Sequence, residues 1–138
     1  MTETREQAAV LFANEAFYRA FADRDVDAME ALWAPEDPVT CIHPGWPPLI
    51  GRAEVMASWA RILANPGAPA IACEAARAFI LGEVAFVLCY EAIEGTHLVA
   101  TNVFRRAADG AWKLVHHQGG PSPPPPRRAE AEAKPRPN

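Results

Sequence analysis

The second half of the chain breaks into four strand-length apolar runs joined by turns too short for anything but hairpins. Ile71 to Leu81, Val84 to Ile93, Leu98 to Arg106 and Trp112 to Gln118 are separated by Gly82-Glu83, Glu94-Gly95-Thr96 and Asp109-Gly110. Gly, Asn and Asp supply the backbone conformations that tight hairpins need. Consecutive strands with such short links pair antiparallel, so this half predicts a meander. A sheet of this kind has a face to cover, and the first half of the chain must cover it.

That half reads as helices. From Glu6 to Ala22, the residues Val10, Leu11, Phe12, Ala16, Phe17, Ala20 and Phe21 recur at three- and four-residue intervals and form one broad apolar stripe. Asp25 can cap a second, shorter helix ending near Trp33, where Ala34-Pro35 breaks it. Val39 to His43 is short, β-branched and flanked by proline, which predicts an edge strand. After the stiff loop His43-Pro44-Gly45-Trp46-Pro47-Pro48, a third helix from Ala53 to Leu63 carries Val55, Trp59, Ile62 and Leu63 on its buried side, and Asn65-Pro66-Gly67 ends it. The expected fold class is α+β, a curved antiparallel sheet packed on three N-terminal helices.

Composition sets the limits of that domain. The 138 residues suffice for one core. Residues 119–138 hold seven of the fourteen prolines, with four basic residues against two acidic. The expected division is a domain over 1–118 and a disordered, proline-rich tail over 119–138. Taking the tail's +2 from the whole-chain charge of −4 leaves the domain near −6, which argues against nucleic-acid binding. No apolar run is long enough to span a membrane, and the opening Met-Thr-Glu-Thr-Arg-Glu has no signal-peptide layout, so a cytoplasmic location is expected. Cys41, Cys73 and Cys89 are odd in number and widely spaced, as reduced core thiols would be.

Four stretches carry a family resemblance. The first is Phe17-Tyr18-Arg19-Ala20-Phe21 with Asp25-Val26-Asp27-Ala28-Met29. The second is Leu32-Trp33 ahead of Cys41-Ile42-His43-Pro44-Gly45-Trp46, and the third is Gly51-Arg52 with Ser58-Trp59. The fourth runs from Thr101-Asn102-Val103-Phe104-Arg105-Arg106 through Asp109-Gly110-Ala111-Trp112-Lys113-Leu114-Val115-His116-His117. In this order they resemble the nuclear transport factor 2-like superfamily, of cystatin-like fold, and its SnoaL-like branch, over about residues 8 to 118. The resemblance implies a cone open at one end, often dimerising through the sheet's outer face. The superfamily holds isomerases, cyclases and dehydratases, and also transport and assembly modules without catalysis, so fold does not settle function. The aspartate pair of its steroid isomerases has no obvious counterpart in this sequence.

The candidate site residues follow from placement. Strand alternation sets Trp112, Leu114, His116 and Gln118 on one face and Lys113, Val115 and His117 on the other. Because lysine seldom lies in a core, His116 is expected inside the cone and His117 outside. His43, held extended by Pro44, and Trp46 are expected at the cone's mouth. Tyr18, Trp33 and Trp59 offer apolar area with a polar handle, for either the core or a pocket wall. Asn102 is the neutral hydrogen-bonding candidate. Glu91 is either a buried carboxyl with a raised pKa or a residue of the solvated face. His43, His97 and His116 show no metal-ligand spacing, so neither a metal nor a cofactor is expected.

Three functions fit. The first is a homodimer binding a small apolar molecule against Tyr18, Trp33, Trp46 and Trp59, oriented by His43, Asn102 and His116. The second is an enzyme of isomerase, dehydratase or cyclase type, with His43 or His116 titrating near neutrality as general base on a small apolar carbonyl compound. The third is a dimeric assembly module whose tail, Pro123 to Arg128, recruits a partner.

Overall fold

The computed structural model describes residues 3–126. Helices α1 (Arg5–Ala22), α2 (Val26–Leu32) and α3 (Arg52–Ala64) lie against a six-stranded sheet of β1 (Thr40–Ile42), β2 (Leu49–Ile50), β3 (Ala72–Leu81), β4 (Val84–Ile93), β5 (Thr96–Arg106) and β6 (Trp112–Ser122). The fold is α+β, as the sequence predicts. The strand order is β2-β1-β6-β5-β4-β3, with β3 to β6 forming the antiparallel meander.

Local chemistry explains the element ends. Thr4 and Gln7 close a capping box on α1, and the Asp25 carboxylate accepts from the Ala28 N–H to start α2. The Arg52 guanidinium donates to the carbonyls of Glu30, Trp33 and Ala34, which satisfies the end of α2 and ties it to α3. Trp33, Phe17, Phe104, Met29 and Leu114 are fully buried where α1 and α2 meet the sheet.

Three expectations change. The strand at 40–42 is not an edge: β1 pairs parallel with β6 and antiparallel with the two-residue β2, which takes the edge instead. A two-residue strand is too short to show a periodicity. The last strand does not stop at Gln118. Gly119 to Ser122 continue it opposite Ala100 to His97, on the side of β5 that β4 does not occupy. The rest of the tail, residues 127–138, lies outside the described residues.

The third change decides the site. Val103 pairs with His116 but Phe104 pairs with Leu114, so Val115 is an extra residue, a β-bulge. Trp112 and Leu114 face the core as expected. Past the bulge the alternation is offset by one, and it is His117, 4% exposed, that faces inward. His116 turns outward, its Nδ1 2.6 Å from Thr40 Oγ1. The expectation that His116 points into the cone is therefore corrected; a single inserted residue is invisible to a strict two-residue period.

Candidate functional site

A cavity of about 250 Å³ opens between α1, α3, the 43–46 turn and the inner face of the sheet. Its walls are Phe17 and Phe21 from α1, Trp59 and Ile62 from α3, Trp46 from the turn, and Ile71, Ile93 and Leu98 from strand ends. Its polar lining is Tyr18, His43, Glu91 and His117, and no Lys or Arg is among the lining residues. Apolar walls with a few convergent polar groups are the usual make-up of a small-molecule site.

Each polar group is placed by its element. His43 comes directly after β1 and is buried, and a turn closed by the Trp46 N–H to the His43 carbonyl follows it. Pro44 and Gly45, the latter at φ 81°, are the pair that a type II turn requires. The turn seats the His43 ring edge-on against both Trp46 and Trp59, each at 4.8 Å between centroids. Ser58 donates its one hydroxyl proton to the Val55 carbonyl at 2.7 Å, so at 2.9 Å it accepts from the His43 Nε2–H. Burial lowers the His43 pKa to about 4. His43 is thus held as a hydrogen-bonded wall of the cavity, with its affinity for a second proton lowered by burial.

The floor is a connected cluster. Tyr18 donates its phenol proton to Glu91 Oε2 at 2.6 Å, and its oxygen lies 3.2 Å from the Asn102 amide nitrogen. Asn102 contacts Asn14 at 2.8 Å and His117 Nδ1 at 2.5 Å. His117 Nε2 stands 4.0 Å from Glu91 Oε2. Burial holds the Glu91 carboxyl above the usual carboxylate range, with the Tyr18 hydrogen bond opposing it. Burial, reinforced by the His43 and His116 rings, pushes His117 down to about 3. A His117 pKa of about 3 leaves the ring uncharged near neutral pH, so the 4.0 Å contact is not an ion pair. Burial above all, with its neighbours Glu91 and Cys89 adding to it, pushes the Tyr18 phenol up, which keeps it a donor.

The candidates from sequence thus separate. Tyr18, His43, Trp46 and Trp59 line the cavity; Asn102 sits one layer behind it, fully buried. Trp33 does not reach it: 1% exposed, it bridges to Leu114 and belongs to the core. His116 is on the other side of the sheet, and His97 lies 3.3 Å from Glu74 beyond the lining. Of the two readings of Glu91, the buried one holds. Sequence reasoning missed His117, hidden by the bulge, and Asn14 and Ser58. Asn14 left a signal: it interrupts the apolar stripe of α1 four residues after Val10 and four before Tyr18.

A bent sheet wrapped around one long helix, with a cavity at its open end, defines the α+β cone of nuclear transport factor 2-like proteins. Within that class the chain belongs to the SnoaL-like domain family, whose model matches residues 10–124. It is similar to a Streptomyces avermitilis protein of the NTF2-like family, provisionally described as a dehydratase, at 37% identity and TM-score 0.76, over 85% of this chain and 96% of that one. It is also similar to a Thiobacillus denitrificans structure, provisionally described as a calcium/calmodulin-dependent protein kinase type II association domain. The identity there is 35% and the TM-score 0.72, over 80% of this chain and 92% of that one. Among curated proteins it matches the Arabidopsis thaliana F-box protein SKIP8, 32% identical over 111 residues. That match covers 79% of this chain and 48% of the relative, so the chain spans about half the length of the curated relative.

Proposed function

We propose that the cone holds a compact, mainly apolar carbonyl compound and moves a proton on it, with Glu91 and His117 as the acid–base pair. The observation that carries this reading is two titratable groups, 4.0 Å apart on one cavity floor, whose surroundings push their pKa values in opposite directions. In the uncharged state Glu91 has a proton to give and His117 has a lone pair to accept one. Neither ionises cheaply alone. If Glu91 protonates the substrate oxygen as His117 removes a proton from the adjacent carbon, the resulting carboxylate and imidazolium stabilise each other. Tyr18, already donating to Glu91, stabilises that carboxylate further. Returning the proton at another carbon gives isomerisation; delivering it to a β-hydroxyl as water leaves gives dehydration. The 37% identity to a protein provisionally described as a dehydratase supports the second course. Trp46, Trp59 and the Phe17 and Phe21 rings supply the apolar grip, and the absence of a lysine or arginine from the lining disfavours anionic substrates.

The test is exchange of α-protons in D₂O, followed by NMR, on small cyclic ketones and β-hydroxy ketones. Wild type should catalyse exchange or water loss, and Glu91→Gln and His117→Gln should each lower the rate by roughly 10²- to 10⁴-fold. A wild-type protein that neither exchanges these compounds nor is thermally stabilised by them would overturn the reading.

A second reading concerns the other face of the sheet and is compatible with the first. Leu88 and Val99 on that face are each about 40% exposed, and Phe79 stacks on Phe86 beside them at 4.9 Å between centroids. We infer that this face covers a second copy of the chain, a homodimer, and the likeness to a kinase association domain supports it.

A further inference from the structure

We propose that Asn14 and Asn102 are positioning residues that fix His117 as the tautomer protonated on Nδ1, leaving Nε2 bare toward Glu91. The inference rests on the acid–base reading for its catalytic meaning, though not for its geometry. An amide has one accepting end and one donating end, so a chain of amides carries a direction. Here the direction starts at Tyr18. Its phenol proton is committed to Glu91 Oε2, so the phenol oxygen can only accept from its other neighbours, the Cys89 thiol at 3.3 Å and Asn102. That places Nδ2 of Asn102 toward Tyr18 and also toward Asn14 Oδ1 at 2.8 Å. Asn14 then turns its own Nδ2 to Cys73 Sγ at 3.6 Å, where it donates. The one end of Asn102 still free is Oδ1, an acceptor, and it faces His117 Nδ1 at 2.5 Å. The ring nitrogen must be the donor.

Reversing the chain would set the Asn102 carbonyl against a phenol oxygen whose proton is elsewhere, and would move the histidine proton to Nε2. A proton there would point at Glu91, and His117 could no longer accept. Both amides are 1% exposed or less, and both stand where asparagine is a poor choice, in a helix interior and in mid-strand. A network that merely filled the core would be indifferent to which ring nitrogen holds the proton. A network that serves His117 is not.

The measurement is a long-range ¹H–¹⁵N correlation on the uniformly labelled full chain between pH 5 and 8, with the His117 signals assigned by their loss in His117→Gln. Wild type should show Nδ1 protonated and Nε2 bare. Asn102→Leu should release the ring toward the Nε2–H form that free imidazole prefers, and lower kcat more than it raises KM. Asn102→Asp should keep Nδ1 protonated and raise the His117 pKa by roughly one to three units. An Nε2–H tautomer in wild type overturns the proposal, as does an unchanged tautomer in folded Asn102→Leu or an unmoved pKa in Asn102→Asp. The wild-type spectrum answers the question even if Asn102→Leu fails to fold. Because these readouts need no substrate, a protein that is catalytically silent yet shows the Nδ1–H form would sink the acid–base function and leave the positioning role standing.

Discussion

His116 and His117 share a peptide bond and live in different environments. On the inner face of the sheet, His117 is sealed among Phe17, Trp59 and Asn102, with its Nδ1 hydrogen-bonded to Asn102 Oδ1. On the outer face, His116 is half-buried beside Thr40 and Gln118, in a surface that also exposes Leu88 and Val99. The inner face therefore accepts buried polarity within an apolar shell, while the outer face leaves apolar area uncovered. Burial of a polar group is costly unless its partners are complete, and exposure of a single leucine costs little. What the contrast teaches is where to look for chemistry and where to look for contact: the first at the expensive polar cluster, the second at the cheap apolar surface.

Acid should break the inner face first. His43 and His117 have folded-state pKa values of about 4 and about 3, below the ordinary 6.5. Below pH 6.5 the unfolded chain binds protons that the folded chain refuses, so stability falls as pH drops from 6.5 toward the folded values. The expected loss by pH 4 is on the order of several kcal/mol, read as the urea midpoint against pH. Glu91 acts with the opposite sign: its raised pKa stabilises the fold below about 4.5, and that contribution is lost as pH rises through its folded value. His117→Gln should flatten the acid limb; a wild-type curve flat from pH 7 to 4 would refute the assignment of both histidines as buried and neutral.

Truncation sharpens the comparison at intermediate cost. Leu114→Ala, on the inner face at 0% exposure, should lose about 2–5 kcal/mol by chemical denaturation. Leu88→Ala, at 40% exposure on the outer face, should lose less than about 1 kcal/mol at low protein concentration. If the outer face covers a second copy, the Leu88→Ala loss will grow with protein concentration, and sedimentation will show a shift toward monomer. The smallest effect belongs to His116→Ala, within about 0.5 kcal/mol and with no change in proton exchange on carbonyl probes. A His116→Ala protein that lost exchange activity would reverse the roles of the two histidines.

The architecture was legible because its signals are periodic. Turn residues after Leu81, Ile93 and Ala108, and the stripe from Val10 to Phe21, mark four strands and a long helix without reference to anything distant in the chain. The walls of the cavity followed in part, since Tyr18, Trp46 and Trp59 could be placed by element and loop. The floor did not follow. Whether Glu91 is buried depends on strands that pair across the sheet, and the rank of His117 over His116 depends on one unpaired residue. Parity counting fails at a bulge because the count is local and the bulge is a property of two strands. Trp33 shows the converse: a large aromatic with a polar handle says nothing of whether it meets a cavity or a leucine.

That unpaired residue has a consequence for how such cones could diverge. Val115 has no partner on β5, and its neighbours His116 and Leu114 keep theirs with Val103 and Phe104. A chain that lost Val115 would retain each of those pairings, with His117 still opposite Asn102, and would forfeit only the local bend. The same holds on the far side of the sheet, where Ala75 and Ala76 together face the single Cys89 and Ala75 sits at φ 56°. These two positions are adjustment points in the strict sense: insertions and deletions there would change the bend of the sheet while the flanking pairs stayed in register. Related chains that differ in the girth of what they admit should differ at such places sooner than at Tyr18, Glu91 or His117.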